Sequence, residues 1–311
     1  MVSIVIVNWN SGPLLEHCVC SLREHAAGCE IIVVDNASRD SSLEFIGRAG
    51  SPLLLLRNDQ NAGFATACNQ GWHRGQGEKI LFLNPDAESL AGGVEGLAQR
   101  LESEPVVWAV GGRLLDAAGA HQAGFNVRAF PSIGAVAAEM LLLEELWPRN
   151  PWTRRYRMTD WDYSSPGDVD QPAAACLMVR RAALESLGGF DERFRPAWFE
   201  DVDLCKRIRD AGGRIVFEPR ARFLHHGAVS LRNLTREEFL RCYHANQIRY
   251  FEKHHGSAAS ARVRRLVVAG LYLRALLAAP AAPFRGRSAA TPARAYWRVA
   301  RDLAGAREAR A

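Results

Sequence analysis

The seven cysteines include no CxxC pair. Cys18 and Cys20 flank one residue on an expected helix, so their thiols cannot face each other. A zinc site and a disulfide framework are therefore disfavoured, and a reducing compartment fits. The chain also lacks a Gly-Lys-Ser/Thr phosphate loop, and no Gly-x-Gly-x-x-Gly follows its first apolar run. Walker-type and Rossmann dinucleotide sites are thus disfavoured. The first residues, "VSIVIVNWN", carry neither the basic segment nor the cleavage site of a signal peptide. Near the other end, "LVVAGLYLRALLAAP" is interrupted by Arg274. Its unbroken run falls short of the roughly 20 apolar residues that a span needs. The expectation is a cytoplasmic protein without a transmembrane helix.

What remains is the composition of a folded chain. Of 311 residues, 48% are hydrophobic and 23% charged, which excludes wholesale disorder. The formal net charge of +5 is unevenly placed. From Arg262 onward eleven arginines face only Asp302 and Glu308, so the rest of the chain is net negative. Such an end suits contact with an anionic membrane surface. It equally suits a core-packing helix with a solvated basic end. Nucleic acid is not expected, because no recognition module accompanies the arginines.

Strand-like and helix-like stretches alternate through the first third. "VSIVIVN", "EIIVVD", "PLLLLRN", "KILFLN" and "VVWAVGG" read as buried strands. Between them, "SGPLLEHCVCSLREH", "SRDSSLEFIGRAG", "FATACNQGWHRG" and "ESLAGGVEGLAQRLES" read as helices, the second capped by Ser38 or Asp40 and stopped at Gly50. This order implies right-handed crossovers and a mostly parallel sheet flanked by helices, an α/β fold. Residues 115 to 172 read as an irregular insert rich in Trp, Pro and Arg. A strand ("AAACLMVRR"), two helices ("RAALESLGG", "FEDVDLCKRIRDAGG") and two short strands ("RIVFEP", "ARFLHH") follow, and then a helical C-terminal extension.

Chemistry gathers at strand ends. In "FLNPDA" a proline ends the ladder and leaves Asp86 at the strand's carboxyl end. Asp35 ends the second strand, and Asn8 and Asn58 end the first and third. Parallel strands present these ends along one edge, where open α/β sheets bind ligands. Either acid alone reads first as a cap or an Asx-turn, and the two on one edge weaken that reading without naming a ligand. In "NAGFATACNQG", Gly63 would let a ligand approach backbone closely. "WFEDVDLCKRIRDAGG" sets Glu200, Asp201 and Asp203 at a helix start, where the dipole favours acids. One of them can serve as a general base in a cleft, with Trp198 and Phe199 as an apolar wall that raises its pKa. "RFLHHGAVS" offers His225 and His226 as ligands for a divalent ion beside an Asp and a phosphate.

Taken together, "VSIVIVNWN", "VVDNASRD", "NAGFATACNQG", "LFLNPDA", "AACLMVRRAALESLGGFDERF", "FEDVDLCKRIRDAGG" and "HHGAVS" resemble, in order, the family 2 inverting glycosyltransferases, in the bacterial rhamnosyltransferase-like branch. The resemblance covers about residues 2 to 255. It implies a GT-A fold over 1–258, with a nucleotide-sugar-binding half (1–113), an acceptor-binding half (114–258) and a basic helical extension (259–311). It implies Mg²⁺ or Mn²⁺ as cofactor, held by Asp86 and His225, and Asp201 as catalytic base. Asn8, Asp35, Asn61, Gly63, Asp86 and Ser230 become the nucleotide-sugar contacts. Asn84 stands at the first acidic position of the family's DxD-type motif, and an amide is a weaker, neutral ligand. The implied donor is dTDP-rhamnose. The implied acceptor is a saccharide, free or linked to polyprenyl diphosphate, in cell-surface polysaccharide or glycolipid synthesis. Two other readings remain: a nucleotidyltransferase on a similar sheet, which would want a glycine- and lysine-rich loop after strand one, and a non-catalytic sugar-nucleotide-binding protein.

Overall fold

The structure is a computed structural model that describes residues 1–46, 53–227, 234–278 and 287–305. It divides into two compact units, Met1–Phe130 with Arg157–Asn233 and Pro131–Tyr156 with Leu234–Ala311. These limits fall elsewhere than the 113 and 258 divisions expected from sequence. Within the second unit the span Arg236–Ala278 is two helices that meet at Gly256, whose backbone (φ +81°, ψ 172°) is not helical, so one helix ends close to residue 258.

The first unit is built on one sheet. Strand β1 (Val2–Asn8) is buried along its whole length and pairs in parallel with β2 (Glu30–Asp35) and β4 (Lys79–Leu83). Strand β3 (Leu54–Arg57) extends the parallel set beyond β2. Alternate residues of β1 serve opposite faces. Ile4 and Ile6 join the core under helix α1 (Leu14–His25), while Val5 and Val7 join the core under α2 (Phe64–Arg74). Burial on both faces explains why these strands read as continuous apolar runs rather than alternating ones.

Further along the sheet, β10 (Cys176–Arg180) is antiparallel to both β4 and β6 (Val107–Leu115). Strand β11 (Arg214–His225) then runs parallel to β6. A short β5 (Ala87–Ser89) pairs with β11, giving the order β3-β2-β1-β4-β10-β6-β11-β5. The antiparallel β10 has a functional consequence. Its amino-terminal flank, residues 173–175, lies at the edge where β4 ends, and that edge also receives the carboxyl end of β11.

Some expected elements form differently. Among its described residues the stretch from Ser38 gives a 3₁₀ turn, Ser41–Leu43, capped by Asp40. Ser and Asp side chains there bond to backbone and to each other, which competes with helix; Gly50 lies outside the described residues. Ala87–Ser89 is strand, so helix α3 is confined to Gly93–Ser103. The two short strands expected from 214 onward are one, with a register shift between Glu218 and Arg222. The irregular middle contains helices α4 (Ile133–Met140), α5 (Leu143–Leu146) and α6 (Pro151–Arg157) and the short strands β7 (Val127–Arg128), β8 (Gly167–Asp168) and β9 (Gln171–Pro172); β8 pairs with β11, and β7 with β9.

In the second unit, the helical span Arg236–Ala278 packs on Ile133–Met140 and on the last helix, Arg287–Gly305. Val263, Val267, Gly270, Leu271 and Ala275 form its buried stripe. Arg274, the charge that interrupts the apolar run, donates to the carbonyls of Glu139 and Met140 at 2.6 and 2.7 Å. It thereby caps the end of Ile133–Met140. Among the described residues no helix is long and apolar enough to cross a membrane.

Candidate active site

Asn8 and Asp35 meet at the edge of β1 and β2. Asn8 Nδ2 donates to Asp35 Oδ1 at 2.8 Å, and shares its hydrogens with Ser42 Oγ at 2.9 Å and Ser38 Oγ at 3.0 Å. Asp35 Oδ2 accepts from Ser38 N at 3.2 Å. Both residues are buried, so this network sets the shape of the edge. Beside it, Asn58 bridges Asn36 and Gln70, and Asn36 Nδ2 donates to the Gly63 carbonyl at 3.3 Å. Asn61 is exposed, and its Oδ1 accepts from Gly63 N at 2.9 Å. Gly63 (φ +89°) starts α2, and a Cβ there would stand 3.1 Å from the Pro196 carbonyl. The close backbone approach at Gly63 is thus made by Pro196. Ser230 lies outside the described residues.

The Asn-Pro-Asp turn is closed by Ala87 N donating to the Asn84 carbonyl at 3.1 Å. It sets Asp86 opposite His225, with Oδ1 and Nε2 3.5 Å apart and both side chains buried. Backbone pairing of His225 with Ala87 and the bond from His226 N to the Asp86 carbonyl hold the two segments together. His226 faces away and pairs with Glu88 at 2.7 Å, as side chains that alternate along a strand require.

His225 Nε2 is buried without a hydrogen-bond partner and points toward a carboxylate. A lone pair and a carboxylate at 3.5 Å fit a cation between them, and the gap is too long for a hydrogen bond. Among the described residues no cluster of three or more ligand-type side chains forms. One carboxylate and one imidazole suit an ion whose remaining positions are taken by phosphate oxygens and water.

Asp201 stands at the first turn of α8 (Glu200–Asp210) and is half-buried. The residues just before it, Trp198 and Phe199, have φ of +75° and +73°. Two consecutive aromatic residues in the left-handed region are a strained arrangement, of the kind that clusters at functional sites. Burial pushes the Asp201 carboxyl above its ordinary value; the N–H groups of Ala174 and Val202 and the charge of Arg128 act against that rise. Glu200 is pushed well above the usual carboxylate range, first by burial and then by the Asp201 charge. Asp203 has a different part. It is fully buried and paired with Arg207 at 2.8 Å, and Arg207 also donates to the carbonyls of Leu187 and Gly189. That arrangement fixes α8 to the Gly-Gly turn after helix α7 (Arg181–Leu187).

The structure thus brings Asn8 to Asp35, Asp86 to His225, and Asn84 to the segment that holds Asp201: Asn84 N donates to the Ala175 carbonyl, and Ala174 N donates to Asp201 Oδ2. Several partners escape sequence reasoning. Asn69 joins α2 to Phe190 and Glu192, and Gln122, Phe125 and Arg128 come from the irregular middle. Only Asn69 had a signal, a polar residue flanked by the apolar Ala65, Cys68 and Trp72 at helical spacing.

Comparison with known proteins supports one family. The pattern described as "Glycosyl transferase family 2" matches residues 3–187. An N-acetylglucosaminyl-diphospho-decaprenol L-rhamnosyltransferase of Mycobacterium tuberculosis (strain CDC 1551 / Oshkosh) is 32% identical over 241 residues, covering 73% of this chain and 76% of that protein. The O-antigen biosynthesis protein RfbC of Myxococcus xanthus is 30% identical over 210 residues, covering 65% of this chain and 15% of that one. In three dimensions, a mannosyltransferase of Pyrobaculum calidifontis in complex with GDP-Man and Mn²⁺ aligns with a TM-score of 0.55 at 17% identity, over 99% of this chain and 86% of that one. That likeness concerns the fold, which is GT-A. With the family pattern spanning more than half of its length, the chain belongs to glycosyl transferase family 2, in the rhamnosyltransferase-like branch.

Proposed function

We propose that this glycosyltransferase is metal-dependent and inverting, and that it moves rhamnose from dTDP-rhamnose to a hydroxyl of a saccharide acceptor. The acceptor is carried on a polyprenyl diphosphate, in the synthesis of cell-surface polysaccharide or glycolipid. The observation that carries the reading is the half-buried Asp201 carboxylate, one dipeptide away from the turn that sets Asp86 against His225. The mycobacterial relative, whose name contains both a rhamnosyl group and a decaprenyl diphosphate, supports the choice of donor and acceptor.

In this reading Asp201 accepts the proton of the acceptor hydroxyl as the oxygen attacks the anomeric carbon from the face opposite the nucleotide. Burial raises the affinity of the carboxyl for that proton. Asp86 and His225 would hold the divalent ion, which when bound neutralises charge on the departing diphosphate. The edge formed by Asn8, Asp35, Asn61 and Gly63 is assigned to the nucleoside. Asp201→Asn should abolish transfer and leave donor binding nearly unchanged, with wild-type product showing inverted anomeric configuration by NMR. Wild-type turnover by the variant would remove the base assignment, and a retained anomer would remove the mechanism.

The same reading places the protein peripherally at the inner face of the plasma membrane. Exposed Leu276, Leu277 and Trp297 lie in the arginine-rich second unit, which suits an anionic surface. Full-length protein should co-sediment with anionic vesicles, and Leu276→Ser with Leu277→Ser should weaken that binding. Equal binding of the two proteins would remove the membrane contact.

A further inference from the structure

One side chain from the irregular middle grips His225 at two points. Gln122 Nε2 donates to the His225 carbonyl at 2.7 Å, and Gln122 Oε1 lies 2.8 Å from His225 Nδ1. The first contact decides the second. A carbonyl can only accept, so the amide must present its nitrogen there. Its oxygen is then turned to the ring, and the ring must answer with a hydrogen on Nδ1. In the neutral imidazole the lone pair falls on Nε2, the atom that faces Asp86 Oδ1 at 3.5 Å and has no hydrogen-bond partner.

Gln122 is itself held. Its N–H donates to the Leu114 carbonyl at 3.0 Å, and its carbonyl accepts from Asn126 N at 3.0 Å. Asn126 is fully buried, with its side chain bonded to Leu114 N and the Gly112 carbonyl, both on β6. Three residues beyond Gln122, Phe125 stacks on the His225 ring at 5.2 Å between centroids and 9° between planes. The turn after β6 therefore fixes the imidazole by its plane and by one nitrogen, and leaves the other nitrogen open.

We propose that Gln122 is a positioning residue: it holds His225 in the Nδ1–H tautomer, so that Nε2 is offered with Asp86 to a divalent cation. The inference rests on the reading of Asp86 and His225 as an ion-binding pair. Groups that fix the second nitrogen of a metal-bound histidine alter metal affinity by about 10- to 100-fold when removed.

Two substitutions separate the ring contact from the backbone clip. Gln122→Leu loses both. Gln122→Glu loses the donor to the His225 carbonyl but keeps an oxygen acceptor for Nδ1–H. The first readout is the ¹⁵N ring spectrum of metal-free protein, with His225→Gln used to assign the His225 signals. The second is Mn²⁺ affinity by electron paramagnetic resonance, with a nucleoside diphosphate present. The expectation is that Gln122→Leu drops the Nδ1–H form and weakens Mn²⁺ by about 10-fold or more, while Gln122→Glu keeps both near wild type. Unchanged tautomer and affinity in Gln122→Leu would overturn the proposal. Equal weakening in both variants would also overturn it, by showing that only the backbone clip matters. If wild-type protein binds no Mn²⁺, the ion-pair reading fails by itself, and the ring spectra of the two variants decide the part that concerns Gln122.

Discussion

The backbone N–H of Ala174 donates to Asp201 Oδ2 at 3.2 Å, while Val202 N reaches the other carboxylate oxygen at 2.8 Å. Both bonds favour the charged carboxylate, and burial opposes it more strongly. The next carbonyl along, that of Ala175, accepts from Asn84 N. A single dipeptide before β10 thus couples the position of the proposed base to the turn that carries Asp86. The antiparallel direction of β10 makes this possible, because only then does its amino-terminal flank share an edge with the carboxyl end of β4.

The balance at Asp201 predicts a pH profile. A base acts only when ionised, so kcat/KM for transfer should fall as pH drops through the folded-state pKa of Asp201. That acidic limb should lie above the ordinary aspartate value of about 3.9. The Arg128 charge favours the ionised form. Arg128→Met should therefore move the limb to higher pH, measured from initial rates across the acidic range. A limb that stays in place would show that Arg128 does not act on the base.

The corner formed by Asp86 and His225 predicts sensitivity to chelation. Treatment with a chelator should remove transfer activity, and Mn²⁺ or Mg²⁺ should restore it. Asp86→Asn replaces a charged ligand by a neutral amide of the same shape, and should weaken Mn²⁺ more than Gln122→Leu does, since it acts on the ion directly. His225→Ala should do the same. Transfer at the full rate in chelator would rule out the ion.

Much of this arrangement is legible in the sequence, and the reason is physical. Strand ends punctuated by Asn8, Asp35 and Asn-Pro-Asp at 84–86 mark the ligand edge, because a parallel sheet puts its carboxyl ends together. The reversal of β10 is not legible, since a short run such as "CLMVR" pairs equally well either way. The stretch from Ser38 reads as a helix from its Ser38 or Asp40 cap and its glycine stop, yet its hydroxyls and carboxylates capture backbone donors and leave one 3₁₀ turn among the described residues. Gln122 carries no local signal at all. Its partner is 103 residues away, and only the fold brings them together.

Glu200 predicts a stability effect of definite sign. It is 5% exposed, and one of its oxygens is buried without a hydrogen-bond partner. Its folded-state pKa is raised, so the folded protein holds a proton that the unfolded chain releases near the ordinary glutamate value of about 4.3. The contribution of Glu200 to stability should therefore fall as pH rises from that value toward the folded pKa, by up to about 1.4 kcal/mol per pH unit for one proton. Glu200→Gln keeps the shape and removes the titration. Urea unfolding at acidic and at neutral pH should show a less negative dependence of stability on pH in the variant than in wild type. Identical slopes in the two proteins would place the charge of Glu200 in a solvated environment.

Gly71 sets two opposing effects against each other. It lies inside α2, where replacing glycine by alanine ordinarily stabilises an exposed helix by about 1 kcal/mol. Here the added Cβ would stand 2.3 Å from Val5 Cγ1 and 3.2 Å from Val34 Cγ2, both on strands beneath the helix. No methyl group fits at the first distance, and β1 is held on both sides by its neighbours. The clash should prevail, at a cost of about 1–3 kcal/mol typical of an overpacked core. Gly71→Ala should accordingly lower the denaturant midpoint. Adding Val5→Ala should recover part of the loss, since it removes the atoms that the new methyl group meets. A single variant as stable as wild type would mean that α2 can lift from the sheet without cost, and the edge that carries Asn58, Asn61 and Gly63 would then be softer than its packing implies.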